Sequence, residues 1–331
     1  MEDRGQKVER GQYYTVNNPF NHTKVREWLE KRENCRWLEP FAGANNIVRM
    51  VKTIVPNSVW ECYDIEPGDK EVIQKDVLAD FPKNFDVIVT NPPYLAKNSA
   101  RRRGYDKAVE QMGKWEDLYL KCLEECLNNA KFVAAIIPES FIVAEVLKNR
   151  LEFVVSLTEK MFDDTEHPVC LAVFGPEEPG EYEIYVGEKL LGGSNKLNND
   201  PINKTKAVGI KFNIPNGRIG LIAVDSTKGA SIKFVKGEEI DASEIVHTSR
   251  HRTRINAPGI EKKTKKEIAE IIEIANKELK AWRSRTKDVH MSPFMGLRKD
   301  GLYRRRIPYK MAAKILQKAI NKHEAGRNLT K

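Results

Sequence analysis

The stretch FDVIVTNPPY, residues 85–94, reads as a buried strand that ends in a stiff turn. A short apolar run, FDVIVT, leads directly into Asn91, Pro92, Pro93 and Tyr94. The prolines fix φ and hold the turn rigid. A rigid turn can aim the side-chain oxygen of an asparagine and a backbone carbonyl at one point. Two acceptors so placed can receive both hydrogens of an exocyclic amine. Tyr94 can then lie flat against a planar ring. An ordinary strand-end turn is the competing reading, since Asn-Pro commonly opens turns.

Outward from this stretch, CRWLEPF (35–41), VWECYDI (59–65), FVAAIIPES (132–140), FVVSLT (153–158) and VCLAVFG (169–175) read as further buried strands, several with β-branched residues. Helical patterns cover Asn46 to Ile54, Trp115 to Ala130 and Ile142 to Arg150. Strand–helix alternation predicts an α/β unit with a mostly parallel sheet covered by helices. Such sheets bind ligands at the carboxyl ends of their strands. After the first strand come Glu39, Pro40, Phe41 and Gly43. Small residues there let the backbone approach a ligand, and Glu39 can bind an amine or hydroxyl. A generic strand–helix turn fits the same residues, and the phosphate loop GxxxxGK[ST] is absent. Asp64 ends the second strand, where a carboxylate can accept both hydroxyls of a ribose. Asp76, in VIQKDVLADF, follows an expected third strand and could accept from an adenine amino group, with Val77 against the ring. Each acid alone also fits a solvated loop. Together they put acids after strands one to three and NPPY after strand four.

The chain has 331 residues, 40% apolar and 31% charged, a balance that supports a core and excludes a wholly disordered chain. No apolar run approaches the roughly 20 residues of a membrane span, and MEDRGQKVERGQ has no apolar signal region. The five cysteines are odd in number and form no CxxC pair, which argues against a disulfide scaffold or zinc site and for a reduced, cytoplasmic setting. No metal is expected. Residues 1–175 hold 24 basic and 28 acidic residues, a net of −4, whereas residues 176–331 hold 32 and 19, a net of +13. GPEEPGE, residues 175–181, marks a boundary between them. Beyond it lie a Gly- and Asn-rich stretch, strands AVGIKF, RIGLIAV and SIKFV, a helix over 261–285, and a second helix from Tyr309 to Asn321. This second domain, 176–331, reads as mixed α+β. Its charge points to a polyanion such as nucleic acid, or to a solvated basic surface. Candidate phosphate or base contacts are Arg250, Arg252 and Arg254, then Arg304, Arg305 and Arg306, with Lys262, Lys263, Lys265 and Lys266 at the start of the long helix. In the first domain, Lys97, Arg101, Arg102 and Arg103 sit in KNSARRRGYDK, read as a mobile loop that could grip phosphates or simply be solvated.

EPFAGAN, CYDI, KDVL and NPPY, in that order, resemble the amino-methyltransferases that use S-adenosylmethionine. GQYYT, residues 11–15, resembles the segment that closes over the methionine end of that cofactor in DNA adenine methyltransferases. With the extra domain after the catalytic one, the arrangement is similar to the gamma group of DNA N6-adenine methyltransferases, over roughly residues 11–175. The resemblance implies a Rossmann-like methyltransferase sheet in a catalytic domain over 1–175 and a target-recognition domain over 176–331. It implies cofactor binding by Tyr13, Tyr14, Thr15, Glu39, Pro40, Phe41, Gly43, Asp64, Ile65, Asp76, Val77 and Asn91. It further implies that a flipped adenine meets Asn91 and the Pro92 carbonyl through N6, stacks on Tyr94, and is covered on its other face by Phe162, with His167 as runner-up. Double-stranded DNA is the implied partner, bound by a monomer, with a restriction endonuclease acting on the same site. Two departures stand out: Asn45 where the family often has a second glycine, and Val16 where proline is common. RNA adenine and release-factor glutamine methyltransferases also carry NPPY-like turns, although the latter usually place a helical domain ahead of the catalytic one. A non-catalytic nucleic-acid-binding subunit is the alternative of a different class.

Overall fold

The computed structural model, which describes residues 18–158, 161, 168–245 and 251–328, falls into two compact units, Met1–Leu191 and Gly192–Lys331. The first holds β1 (Arg36–Glu39), β2 (Val59–Asp64), β3 (Ile73–Gln74), β4 (Val87–Thr90), β5 (Phe132–Pro138), β6 (Leu151–Ser156), β7 (Val169–Phe174) and β8 (Glu183–Val186), and β9 (Lys189–Gly193) runs across the division. They form one sheet in the order β3-β2-β1-β4-β5-β7-β6-β8-β9. Among β1 to β8 every neighbouring pair is parallel except those made by β7, which runs against β5 and β6. This is the expected Rossmann-like methyltransferase sheet. The chain steps from β1 out to β3 and then returns to lay β4 on the other side of β1. That reversal opens a crevice at the carboxyl ends of β1 and β4.

Alternation along the strands sends Trp37, Val87, Val89, Ala134 and Ile136 into one apolar cluster with Val25 and Leu29 of α1 (Thr23–Glu30) and Ile47 and Val51 of α2 (Asn46–Lys52). The helix α5 (Leu118–Asn129) packs against β5, and its Leu118 and Cys122 join Leu95, Ala100 and Met112 in a separate cluster. Asn45 caps α2 in the left-handed region, at φ 62°, a conformation asparagine tolerates better than most residues.

Three expectations need correction. Residues 97–103 form a helix, α3 (Lys97–Arg103), ended by Gly104 at φ 73°, and not a loop; α4 (Asp106–Met112) follows it. The helix expected over Ile142–Arg150 shrinks to a single 3-10 turn, Glu139–Val143, and Leu147 at φ 54° breaks any continuation. The sheet also runs past residue 175, because β8 pairs with β6 and β9 extends the edge. With the division at 191/192, the first unit carries 25 basic and 33 acidic residues, a net of −8, and the second 31 and 14, a net of +17.

In the second unit, β10 (Lys211–Phe212), β11 (Ile219–Ile222), β12 (Lys233–Lys236) and β13 (Arg252–Asn256) make an antiparallel sheet in the order β10-β13-β11-β12. Two short helices, α6 (Ser194–Asn198) and α7 (Pro201–Lys204), precede it. The long helix α8 (Lys265–Thr286) starts with a capping box in which Thr264 and Glu267 each accept the other's backbone N–H. The carboxylate of Glu267, placed in the first turn, also offsets the neighbouring lysines. Ile268, Ile271, Ile272, Ala275, Leu279 and Trp282 form the predicted stripe, packed on Leu221, Phe234 and Ile255 of the sheet and on Ile315 and Leu316 of α9 (Tyr309–Asn328). A separate two-stranded ribbon, β14 (Ser292–Leu297) with β15 (Tyr303–Arg306), lies between these helices in sequence. All five cysteines are unpaired, and Cys62, Cys122, Cys126 and Cys170 are buried. Among the described residues no helix is long and apolar enough to cross a membrane, and no group of His, Cys, Asp and Glu is arranged to hold a metal ion.

Candidate active site

Glu39 is the last residue of β1 and is fully buried. Its Oε1 accepts from the Thr90 hydroxyl at 2.7 Å and from the Phe41 backbone N–H at 3.0 Å. Its Oε2 is buried without a hydrogen-bond partner among the described residues. Burial pushes the carboxyl pKa up to about 8; the two hydrogen bonds oppose this, and the nearby Asp64 carboxylate adds to it. Thr90 ends β4, the strand next to β1. The sequence reading passed over Thr90, although its position immediately before Asn91 is the signal.

The turns after β1 and β2 are tied into one unit. Gly43 N–H donates to Asp64 Oδ2 at 2.8 Å, Glu66 N–H donates to Asp64 Oδ1 at 2.8 Å, and Ala42 N–H donates to the Tyr63 carbonyl at 2.8 Å. Gly43 adopts φ 50°, which glycine does without a Cβ penalty. Asp64 is thereby held in place at the end of β2. Ile65 beside it is 46% exposed and offers an apolar face at the strand end. Asp76 accepts from Lys107 Nζ at 2.9 Å and from Gln111 Nε2 at 3.2 Å, both on α4. An adenine amino group would share that carboxylate with them. Val77 is buried in the core.

The Asn91–Tyr94 turn is braced by the start of α5. Leu95 N–H donates to Asp117 Oδ1 at 3.2 Å, Leu118 N–H to the Leu95 carbonyl at 3.0 Å, and Lys97 N–H to the Glu116 carbonyl at 2.9 Å. Asp117 also caps the helix through Tyr119 N–H. Burial raises its pKa to about 6 against those backbone bonds. Tyr94 is less free than a stacking platform: its hydroxyl lies 2.6 Å from Asn91 Oδ1 and 2.7 Å from the Ile136 carbonyl, and its ring meets Tyr119 edge-to-face. One hydroxyl proton serves one acceptor at a time. Glu139, after β5, is a second buried carboxyl that the sequence reading did not single out; Ser156 Oγ donates to it at 2.5 Å.

Several basic candidates turn inward. Lys97 is buried and donates to the Gly113 carbonyl, so it cannot grip phosphates in this arrangement. Arg101, Arg102 and Arg103 are exposed on α3. Arg254 donates to the carbonyls of Ile240 and Pro215, bracing the sheet edge in place of reaching outward. Arg304 Nε donates to the Asp225 carbonyl at 2.8 Å, and its guanidinium lies 4.8 Å from the Phe294 ring centre. Arg252 is exposed, and Arg305 and Arg306 are half-buried. Tyr13, Tyr14, Thr15, Phe162, His167 and Arg250 lie outside the described residues.

The second unit has its own buried carboxylate, also passed over in the sequence. Asp225 is fully buried and accepts from Ser231 N–H (2.7 Å), Ile232 N–H (3.2 Å), Arg283 Nη1 (2.9 Å) and Nη2 (2.8 Å), and Arg298 Nη1 (3.4 Å). Although burial opposes it, these donors hold its pKa below the ordinary carboxylate range.

No curated protein sequence matches this chain. Among solved structures, the type I restriction-modification methyltransferase subunit of Streptococcus thermophilus is similar at 17% identity, over 54% of this chain and 48% of its own, with a TM-score of 0.39. A putative class I S-adenosylmethionine-dependent methyltransferase of Listeria monocytogenes is similar at 14% identity, over 50% and 64%, with a TM-score of 0.38. The type IIG restriction endonuclease BpuSI is similar at 14% identity, over 87% of this chain and 36% of its own, with a TM-score of 0.39. The chain thus covers about half the length of the Streptococcus subunit. Residues 18–163, the segment that contains Glu39, Asp64, Asp76 and Asn91, match the family of Eco57I restriction-modification methylases.

Proposed function

We propose that this chain transfers a methyl group from S-adenosylmethionine to N6 of an adenine flipped out of duplex DNA. One observation carries the reading. The Asn91 turn leaves β4 directly beside the buried Glu39 of β1, at the topological switch where such sheets bind ligands. The unpartnered Glu39 Oε2 is a fit for the ammonium of a methionine moiety, which would displace the proton that burial keeps on this carboxyl and give it a charged partner. In this reading Asp64 takes the ribose hydroxyls, and Ile65 and Asp76 the adenine end. The cofactor supplies an electrophilic methyl group on a sulfonium. Asn91 and the Pro92 carbonyl accept hydrogen bonds from the target amine and draw its hydrogens out of the ring plane, which frees the nitrogen lone pair. Catalysis then rests on positioning and electrostatics. The +17 charge of the second unit supports a polyanionic substrate. The match to restriction-modification methylases supports DNA, and an endonuclease acting on the same site. The test is transfer of labelled methyl to unmodified duplex DNA, with modified positions read by sequencing. Incorporation at adenine supports the proposal; incorporation only into RNA or protein overturns it.

A further inference from the structure

Residues 294–296 of the β14–β15 ribbon form an outward bulge. Pro293 pairs with Arg305 and Leu297 pairs with Tyr303, so three residues on one strand face the single Arg304 on the other. Bulges re-aim side chains and recur beside functional sites. Gly296, at φ 92°, provides the backbone conformation this one needs. The result is a methionine, Met295, that is 66% exposed, with exposed Leu302 at the ribbon's turn. Two exposed lysines, Lys228 and Lys299, flank them; half-buried Arg304 lies over Phe294, and the ring of His251 meets Phe294 edge-on at 5.3 Å. The ribbon's own acid, Asp300, is already paired with Arg298.

The base of the ribbon is clamped. Val224 bridges to Arg306, Asp225 N–H donates to the Arg305 carbonyl at 2.9 Å, and Lys299 N–H donates to the Thr227 carbonyl at 2.8 Å. Arg298 reaches from the turn to both Asp225 and Asp300. An arm held at both ends loses little conformational freedom when it binds. A two-stranded ribbon is also of the width that the DNA major groove admits.

From these observations we infer that the β14–β15 ribbon enters the major groove of duplex DNA, with Met295 against the base edges and Lys228 and Lys299 on the flanking phosphates. The inference rests on the DNA reading above. An apolar tip inside a basic rim is what this partner requires. Base edges present thymine methyl groups to an apolar side chain, while phosphates attract the rim.

The test compares the full-length parent with Met295→Ala and with Lys228→Gln/Lys299→Gln. All three substituted positions are exposed, so the fold should be retained, which circular dichroism checks. For the lysine pair, the log–log salt slope of duplex binding should fall by about 1.8, or roughly 0.9 per lost phosphate contact. For Met295→Ala the slope should stay unchanged, while the methylation profile on a randomised duplex library should lose at least about fivefold preference at one base pair. Wild-type slope and profile in both variants would overturn the ribbon's role alone. A parent that methylates no duplex DNA would overturn the DNA reading itself.

Discussion

Glu39, the last residue of β1, and Asp225, three residues past β11, are both fully buried carboxylates, and they are electrostatic opposites. Asp225 accepts from five donors, including two arginine side chains, and its proton affinity is held down. Glu39 accepts from two donors on one oxygen, keeps the other oxygen unpartnered, and has its pKa raised to about 8. Neither is reached by solvent, and they differ in how many donors surround them. A filled carboxylate is a structural clamp that joins the β11–β12 turn, α8 and the ribbon. A half-filled one keeps an oxygen to which the proposed reading assigns a cation.

The sharpest way to break this contrast is to remove the clamp. Asp225→Asn should cost ~3–5 kcal/mol of stability, because it strands Arg283 and Arg298 without their buried partner. Urea unfolding measures this, and a loss below 1 kcal/mol would show that the cluster is not a hub. Next in size is Asn91→Ala, which should lower methyl transfer by about 10²–10³-fold, the usual cost of removing one preorganised polar contact from a reacting group. Cofactor affinity should stay near wild type, as read by calorimetry. Glu39→Gln should leave unfolding nearly unchanged at neutral pH, where Glu39 is already protonated, yet weaken S-adenosylmethionine binding by about 10–100-fold, as a charge-assisted bond is lost. Equal effects of Glu39→Gln and Asp225→Asn on unfolding would collapse the comparison.

The smallest effect is the most diagnostic one. A carboxyl raised from 4.5 to about 8 keeps its proton in the folded state across that window while the unfolded chain has lost it. Its contribution to stability therefore falls as pH rises from 4.5 to 8. Asp225 contributes in the opposite sense, with stability present above the unfolded carboxylate pKa and lost as pH falls through its lowered folded value. A cationic ligand must displace the Glu39 proton. Its affinity should accordingly climb by up to about tenfold per pH unit between pH 6 and 7.5, and Glu39→Gln should flatten that climb.

The strand-end positions were legible in the sequence because the exit from a buried strand fixes direction locally. Glu39, Asp64 and Asn91 fall where the alternation of strands and helices puts them. The direction of exposed-looking cations was not legible. Lys97 turns to a carbonyl 16 residues away, and Arg254 to carbonyls 14 and 39 residues away. Composition counts charges without saying what they face. The edge strands β8 and β9 escaped notice for a related reason: they are short and mostly half-buried or exposed, so they lack apolar contrast. Asp225 shows the limit most plainly. RIGLIAV followed by an acid has the same form as the strand-end acids of the first unit, yet three-dimensional saturation makes it a clamp.

All five cysteines belong to the first unit and none to the second. Cys122, Cys126 and Cys170 are fully enclosed, and burial pushes their thiols well above the ordinary range, so the reactive thiolate is doubly scarce while that unit is closed. Alkylation of these three in native buffer is therefore a clock that ticks only when the first unit opens. A ligand that binds the closed form slows such a clock by a factor of one plus its concentration over its Kd when opening and closing are fast relative to labelling. Such alkylation would thus report binding of the proposed cofactor without turnover or DNA, and the second unit, which holds none of these cysteines, would make no contribution of its own.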